Sequence, residues 1–332
     1  MDNPQKKPRV LVTRAVFAEH LERLAAFCEV DSNQSDVSLG ANELRQRLAG
    51  AAAALITGGD RIDAAALADA AELRAVCSIS VGYNHIDLAA CTAARVMATN
   101  TPDVLTETTA DLGFALLMAA ARRVTASERW LREGHWQRWA LDQWLGFDLH
   151  HSTLGIIGMG RIGQAIARRA RGFSMRVIYH NRRPLAAQVE HDLQAHYVTK
   201  EELLQQADHV VLVVPFTPET RHLIGAPELA LMKPTATLTN IARGGLIDEV
   251  ALCTALRSGR LGAAGLDVFE GEPRILPDLL TLNNVALTPH IGSASRPTRD
   301  AMVQLAIDNL ESVLAGLTPP CLLNTDVLDR KR

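Results

Sequence analysis

The run Gly158-Met-Gly160-Arg-Ile-Gly163 constrains this chain more than any other stretch. It follows the apolar segment Leu154-Gly-Ile-Ile157 and opens a helical pattern over residues 161–171. A GxGxxG match alone says little, but between a strand and a helix it has a mechanism. The first glycine makes the tight turn, the second lets the backbone approach a pyrophosphate, and the third lets helix and strand pack closely. Unpaired amides and the positive dipole end of the helix then face the phosphates. Gly158, Gly160 and Gly163, with Arg161 and Ile162 between them, therefore read as a dinucleotide-binding loop.

The rest of the chain fits around that loop. Apolar, non-alternating runs at 10–12, 53–56, 75–80 and 95–99 predict strands of a sheet covered on both faces, with helices at 19–27, 43–48 and 64–70. A second series supplies strands at 155–157, 176–179, 210–214, 236–241, 264–268 and 285–287, and a helix at 249–257. Thr199-Lys-Glu-Glu202 matches a capping box for a helix ending near Gln206, and a closing helix runs from near Pro297 to before Gly316. One long helix is predicted over 105–123 between the two series. The fold class is α/β, two doubly wound parallel sheets of the Rossmann type, and 332 residues suffice for about two domains of ~150.

Composition narrows the partners. Lys plus Arg total 34 against 37 Asp plus Glu, a net charge of −3, which gives no global attraction for nucleic acid or an acidic membrane. No apolar run is long enough to span a bilayer, and residues 1–10 lack the hydrophobic core of a signal peptide. Five scattered cysteines without a CxxC pair predict reduced thiols and a cytoplasmic protein. No metal site is expected, since the eleven histidines include no i,i+4 pair beside a suitable acid.

The segment after the second strand of the cofactor series chooses the cofactor. A carboxylate there would hold a ribose 2′-hydroxyl, but the chain has Asn181-Arg182-Arg183. Two guanidiniums beside a neutral Asn suit a 2′-phosphate, so NADPH is expected over NADH. Three further groups sit just beyond strand ends: Arg243 in Asn240-Ile-Ala-Arg243, Glu272 in Asp267-Val-Phe-Glu-Gly-Glu272, and His290 in Thr288-Pro-His290. Ligands of open parallel sheets bind at that rim. Arg243 is suited to clamp a carboxylate and polarise a ketone, and His290 to donate a proton to the forming alkoxide with Glu272 on its other nitrogen.

On these motifs, and on Ser152 to Ala167, Gly265 to Pro273 and Pro289 to Ala294, the chain resembles the D-isomer-specific 2-hydroxyacid dehydrogenases over nearly its whole length. Within them it is similar to the glyoxylate/hydroxypyruvate reductases and bacterial 2-ketogluconate reductases. The resemblance implies a cofactor domain, residues 104–292, inserted into a discontinuous flavodoxin-like substrate domain, residues 1–103 and 293–332, and a homodimer built on the cofactor domains. It places Arg243, Glu272 and His290 on the family's catalytic trio. Val81 and Gly82, in Ser80-Val-Gly-Tyr-Asn-His-Ile-Asp87, fall where backbone amides hold the substrate carboxylate, and Ser293 lies near the substrate. Thr109, Pro215, Ile241 and Asp267 match cofactor contacts, with Asp267 on the nicotinamide amide. The run after Glu272, Pro-Arg-Ile-Leu-Pro277, departs from the family's pattern.

All four tryptophans, Trp130, Trp136, Trp139 and Trp144, fall within fifteen residues. They read either as a core patch beneath a loop or as a subunit interface, with Trp139 and Trp144 the candidates for a residue reaching a partner's active site. Two other functions share the fold: a cofactor-sensing corepressor, and an NAD-dependent dehydrogenase of the 3-phosphoglycerate or phosphite type. The arginine pair argues against the second.

Overall fold

Short apolar runs become parallel strands in two separate sheets. The computed structural model describes residues 7–329, so residues 1–6, where the leader-peptide expectation begins, lie outside it. The chain divides into two compact units: the segment up to Leu105 together with Ser295 onward, and Thr106–Ala294. Both divisions fall two residues later than the sequence reading places them.

The first unit carries β1 (Arg9–Val12), α1 (Ala18–Phe27), β2 (Glu29–Ser32), α2 (Ala41–Ala49), β3 (Ala53–Ile56), α3 (Ala64–Leu67), β4 (Ala75–Ser78), α4 (Leu88–Ala93) and β5 (Met97–Thr99). Its strand order is β2-β1-β3-β4-β5, every pair parallel. β3 and β4 are buried along their whole length, which is why they contain no alternating polar residues. Asp63 and Asp87 cap α3 and α4 by accepting from the first free amides, each worth about 1 kcal/mol.

The second unit comprises α5 (Thr106–Ala121), α6 (Val124–Arg132), β6 (Thr153–Ile157), α7 (Arg161–Ala170), β7 (Arg176–His180), α8 (Ala187–Leu193), β8 (Ala195–Tyr197), α9 (Lys200–Gln206), β9 (His209–Leu212), α10 (Ala226–Leu231), β10 (Thr237–Asn240), α11 (Glu249–Arg257), β11 (Ala263–Leu266), α12 (Pro277–Leu280) and β12 (Val285–Leu287). The seven parallel strands lie in the order β12-β11-β10-β9-β6-β7-β8. From β6 the chain winds outward to β8, then returns to β9 on the other side, so β6 and β9 flank the switch point where such sheets take ligands. Separate apolar clusters cover the two faces, one around Leu203, Leu238 and Leu252, the other around Leu117, Ile156 and Ile166. Burial of each such side chain contributes roughly 1.5–3 kcal/mol. Finally α13 (Arg296–Leu314) returns to the first unit and lays Val303, Ile307 and Leu310 against Val10, Val12 and Leu55.

The single helix predicted over 105–123 is two. α5 stops at Ala121, Arg123 adopts a left-handed conformation (φ 53°), and α6 starts at Val124. The cause lies downstream: Phe147 donates its amide to the Ala121 carbonyl at 2.9 Å, and Gly146 packs so closely on that carbonyl that a Cβ would come within 2.4 Å of it. The tryptophan segment is not a core patch. Trp130 and Trp144 meet edge to face, but Trp136 is exposed, Trp139 is 74% exposed and Leu141 82% exposed.

Candidate active site

The phosphate loop follows β6 directly. Gly158 has φ +105° and its amide is held by the His180 carbonyl at 3.0 Å; a Cβ there would sit 2.6 Å from the Val213 carbonyl oxygen. Gly163 packs on Gly158, with 2.3 Å between its hypothetical Cβ and the Gly158 oxygen. Gly160 differs: nothing lies within 4 Å of where its Cβ would be, and no side chain caps α7. Open space beside uncapped helix amides is the shape and polarity that a pyrophosphate requires.

Behind the loop, Asn181 accepts from the Met159 amide through Oδ1 at 2.7 Å, so its side chain is used on the loop itself. The following segment is pinned at both ends. Tyr197 donates to the Asn181 carbonyl at 3.3 Å, and the Leu185 amide donates to the Tyr179 hydroxyl at 2.7 Å. Tyr179 in turn donates to Glu190 at 2.6 Å; burial and that carboxylate push the phenol up to about 12. Between the pins, Arg182 and Arg183 are exposed and make no hydrogen bond or ion pair among the described residues. Arg182 is felt at a distance by Glu219, whose carboxyl is held below its usual range by Thr217, then by a backbone amide, then by that guanidinium.

The other cofactor candidates occupy the same rim. Pro215 is exposed beyond β9, and its carbonyl accepts from Thr220 at 2.9 Å. Ile241 is buried beyond β10 against Gly113, and Thr109 is buried near the start of α5, beside Gly292. Asp267, 1% exposed at the end of β11, has both oxygens engaged. Oδ1 accepts from Thr288 Oγ1 (2.7 Å) and the Ile291 amide (2.8 Å), and Oδ2 from the Gly292 amide (2.9 Å). About one of its roughly four lone-pair positions is left, on Oδ2. Burial raises its pKa, against the Ile291 amide, Thr288, the His290 charge and the Gly292 amide.

Asp267 therefore organises the turn that carries His290. The His290 amide donates to the Asp267 carbonyl at 2.8 Å, which holds His290 at φ +52°. A non-glycine residue in that region costs about 1–2 kcal/mol and needs such support. The ring then meets Glu272: Nδ1 lies 2.7 Å from Oε2, while Oε1 accepts from the Phe269 amide at 2.9 Å. Burial opposes the Glu272 charge, but the His290 hydrogen bond, the Phe269 amide and the charges of His290 and Arg243 outweigh it and hold the carboxyl below its usual range. An ionised carboxylate only accepts, so Nδ1 carries the shared hydrogen and Nε2 is the nitrogen left to exchange a proton.

Arg243 is half-buried past β10. Buried Asn240 shapes its turn, donating to the Arg243 carbonyl at 2.8 Å and accepting from the Ala242 amide at 3.0 Å. Burial lowers the guanidinium pKa and Glu272 opposes it, so the two side chains are within electrostatic reach. Ser293 is half-buried in the turn after His290. In the first unit, Val81 and Gly82 lie in the loop after β4, where Asn100 donates to the Val81 carbonyl at 2.8 Å and Ser80 to that of Gly82 at 2.8 Å. One group with metal-ligand geometry exists among the described residues, Glu19, His20 and Asp300, but Arg296 already bonds both carboxylates. Sequence reasoning did not single out Asn240 or Glu249. Glu249 follows the cap residue Asp248, where an acid usually reads as a solvated dipole partner.

A strand–glycine loop–helix at the switch point, with an imidazole–carboxylate pair and a guanidinium along the same rim, defines a nicotinamide-dinucleotide oxidoreductase. The NAD binding domain of the D-isomer specific 2-hydroxyacid dehydrogenases matches residues 114–292. The glyoxylate reductase of Thermococcus onnurineus is 43% identical over 330 residues, 98% of each chain. Among solved structures, a glyoxylate reductase from Paecilomyes thermophila superposes with TM-score 0.85 at 32% identity, covering 96% of this chain and 99% of that one. An NADPH-dependent glyoxylate/hydroxypyruvate reductase from Sinorhizobium meliloti, in complex with NADP and malonate, gives 0.86 at 33% identity, covering 98% and 99%. This chain belongs to the D-isomer-specific 2-hydroxyacid dehydrogenase family. No helix among the described residues is long and apolar enough to cross a membrane.

Proposed function

We propose that this protein reduces a small 2-oxo acid, of the glyoxylate, hydroxypyruvate or 2-ketogluconate kind, to the D-2-hydroxy acid with NADPH. The observation that carries the reading is the His290 Nδ1 to Glu272 contact at 2.7 Å, with Arg243 in electrostatic reach of the same carboxylate. The glycine loop would hold the pyrophosphate of NADPH, whose nicotinamide would supply the hydride. Arg243 orients the oxo acid by its carboxylate and stabilises negative charge growing on the ketone oxygen. His290 Nε2 delivers the proton to that oxygen, and Glu272 accepts from Nδ1 and keeps the ring correctly turned. Val81, Gly82 and Ser293 are read as substrate residues, and the discontinuous unit as the substrate domain. Thr109, Pro215, Ile241 and Asp267 serve the cofactor.

Choice of NADPH rests on Arg182 and Arg183, exposed, held on a pinned segment and free of protein anions within bonding distance. NADH remains the second cofactor. Purified protein mixed with NADPH and glyoxylate or hydroxypyruvate should consume the cofactor, read as falling absorbance; inactivity on every small 2-oxo acid would overturn the reading in favour of a corepressor-like binding protein. Alanine at both Arg182 and Arg183 should raise the KM for NADPH by roughly 10- to 100-fold, equivalent to losing one or two charge-assisted bonds. The KM for NADH should hardly move, and equal changes would make the pair structural.

The exposed arm of Trp136, Trp139, Leu141 and Leu145 is an apolar patch of the kind that marks an interface, and we assign it to a second copy of the chain. Sedimentation should give a dimer, with Trp139→Asp plus Leu141→Asp shifting it to monomer; a monomeric parent protein contradicts this. Five free cysteines, four of them buried, fit a reducing compartment and a cytoplasmic enzyme.

A further inference from the structure

The turn that delivers Glu272 to His290 is gripped at one peptide, Phe269–Glu270. On one side Gly244, the neighbour of Arg243, lies flat against it: a Cβ there would stand 1.9 Å from the Phe269 carbonyl carbon and 2.3 Å from the Glu270 nitrogen. On the other side the Glu270 amide donates to Glu249 Oε1 at 2.6 Å. Glu249 is only 7% exposed although it opens α11, a place where an acid normally projects into water. A carboxylate withdrawn from solvent is costly unless it is bonded, and the bond it makes here is to the turn two residues before Glu272.

We propose that Glu249 is a positioning residue for the acid–base pair, clamping the Glu270 amide so that Glu272 meets the ring of His290 in one fixed geometry. The inference rests on the reading of His290 as the proton donor. Glu249 acts on the pair through the turn, since its bond is to the Glu270 amide. Its effect passes through the backbone, because the Phe269 amide next along the turn is the donor that orients Glu272 Oε1. The charged groups facing Glu249 are Glu270, Glu272 and His222. Glu270 is itself tied to Arg221 at 2.8 Å and His222 at 3.0 Å, which leaves its backbone amide to Glu249. Facing His290 are Glu272 and Asp267, with Arg243 acting on Glu272. Burial raises the Glu249 pKa, so a protonated or amide side chain at this position keeps the same acceptor oxygen.

The test compares Glu249→Gln, Glu249→Asp and Glu249→Ala with His290→Ala, using steady-state kinetics and the NMR chemical shifts of the His290 ring in protein without cofactor. Glu249→Gln retains the acceptor and should stay near the parent in both readouts. Glu249→Asp withdraws it by about one carbon–carbon bond, and kcat should fall roughly 10- to 100-fold, as for a small misplacement of a reacting group. The KM for NADPH should stay unchanged, and the His290 ring signals should move away from their parent positions, because the carboxylate partner of the ring is displaced. Glu249→Ala should do the same; if it does not fold, Asp against Gln decides. Parent-like kcat and ring shifts in Glu249→Asp, or equal damage in Gln and Asp, overturns the proposal. Normal turnover in His290→Ala instead overturns the reading of the site, so the two failures are distinct.

Discussion

Replacing His290 with Ala lowers kcat for oxo acid reduction by roughly 10²- to 10⁴-fold, the range for loss of a positioned general acid. The KM for NADPH stays close to that of the parent protein, since the ring belongs to the proton path and not to the phosphate loop. In the variant Glu272 keeps its bond from the Phe269 amide but has no ring left to orient. Steady-state rates with NADPH and glyoxylate decide the matter, and a variant that turns over like the parent removes His290 from the chemistry.

Arg243→Ala is the second large effect, and its signature differs. The guanidinium is assigned both to the substrate carboxylate and to charge developing on the ketone oxygen. Its loss should therefore raise the KM for the oxo acid and lower kcat by roughly 10²- to 10³-fold, the magnitude for one such donor. Lys restores the charge but not the planar fork, so Arg243→Lys should recover part of the KM and little of the rate. Asn240, which bonds the backbone at 242 and 243, predicts that the turn itself survives both substitutions. A rise in KM with kcat intact would reduce Arg243 to a binding residue alone.

Central strands were legible because they are buried on both faces: β3, β4, β6, β9 and β11 are mainly apolar runs, and β10 (Thr-Leu-Thr-Asn) is equally buried although it alternates. Of the edge strands, β5 and β12 were legible but β2 and β8 were not. β2 reads Glu-Val-Asp-Ser, because its Asp31 turns to Arg9 and Arg47 at the sheet border, and β8 is three residues long. α10 contains a proline in its first turn and only six residues, too few for a helical period to emerge. The break after α5 depends on Gly146 and Phe147, more than twenty residues downstream, and no local propensity announces it.

The site divides along the same line. Its glycine loop is a local motif whose spacing is its mechanism, and Thr199 with Glu202 likewise forms the reciprocal cap that the spacing predicts, at 3.2 and 2.9 Å. Strand ends could be read for Arg243, Glu272 and His290 as neighbours of the rim. What spacing could not supply was who holds whom. Asn181, read as a cofactor-binding residue beside the arginine pair, spends its side-chain oxygen on the Met159 amide. Asp267 spends most of its bonding capacity on residues 288–292. Glu249 is indistinguishable in sequence from any acid at a helix start.

The two acids beside His290 divide its control between them. Asp267 grips only the main chain and its flanks, while Glu272 alone reaches the ring. Where the histidine stands and which way its ring is turned are thus separate settings, each with its own carboxylate. A lineage could re-aim the ring through one of them without ever moving the backbone that carries it.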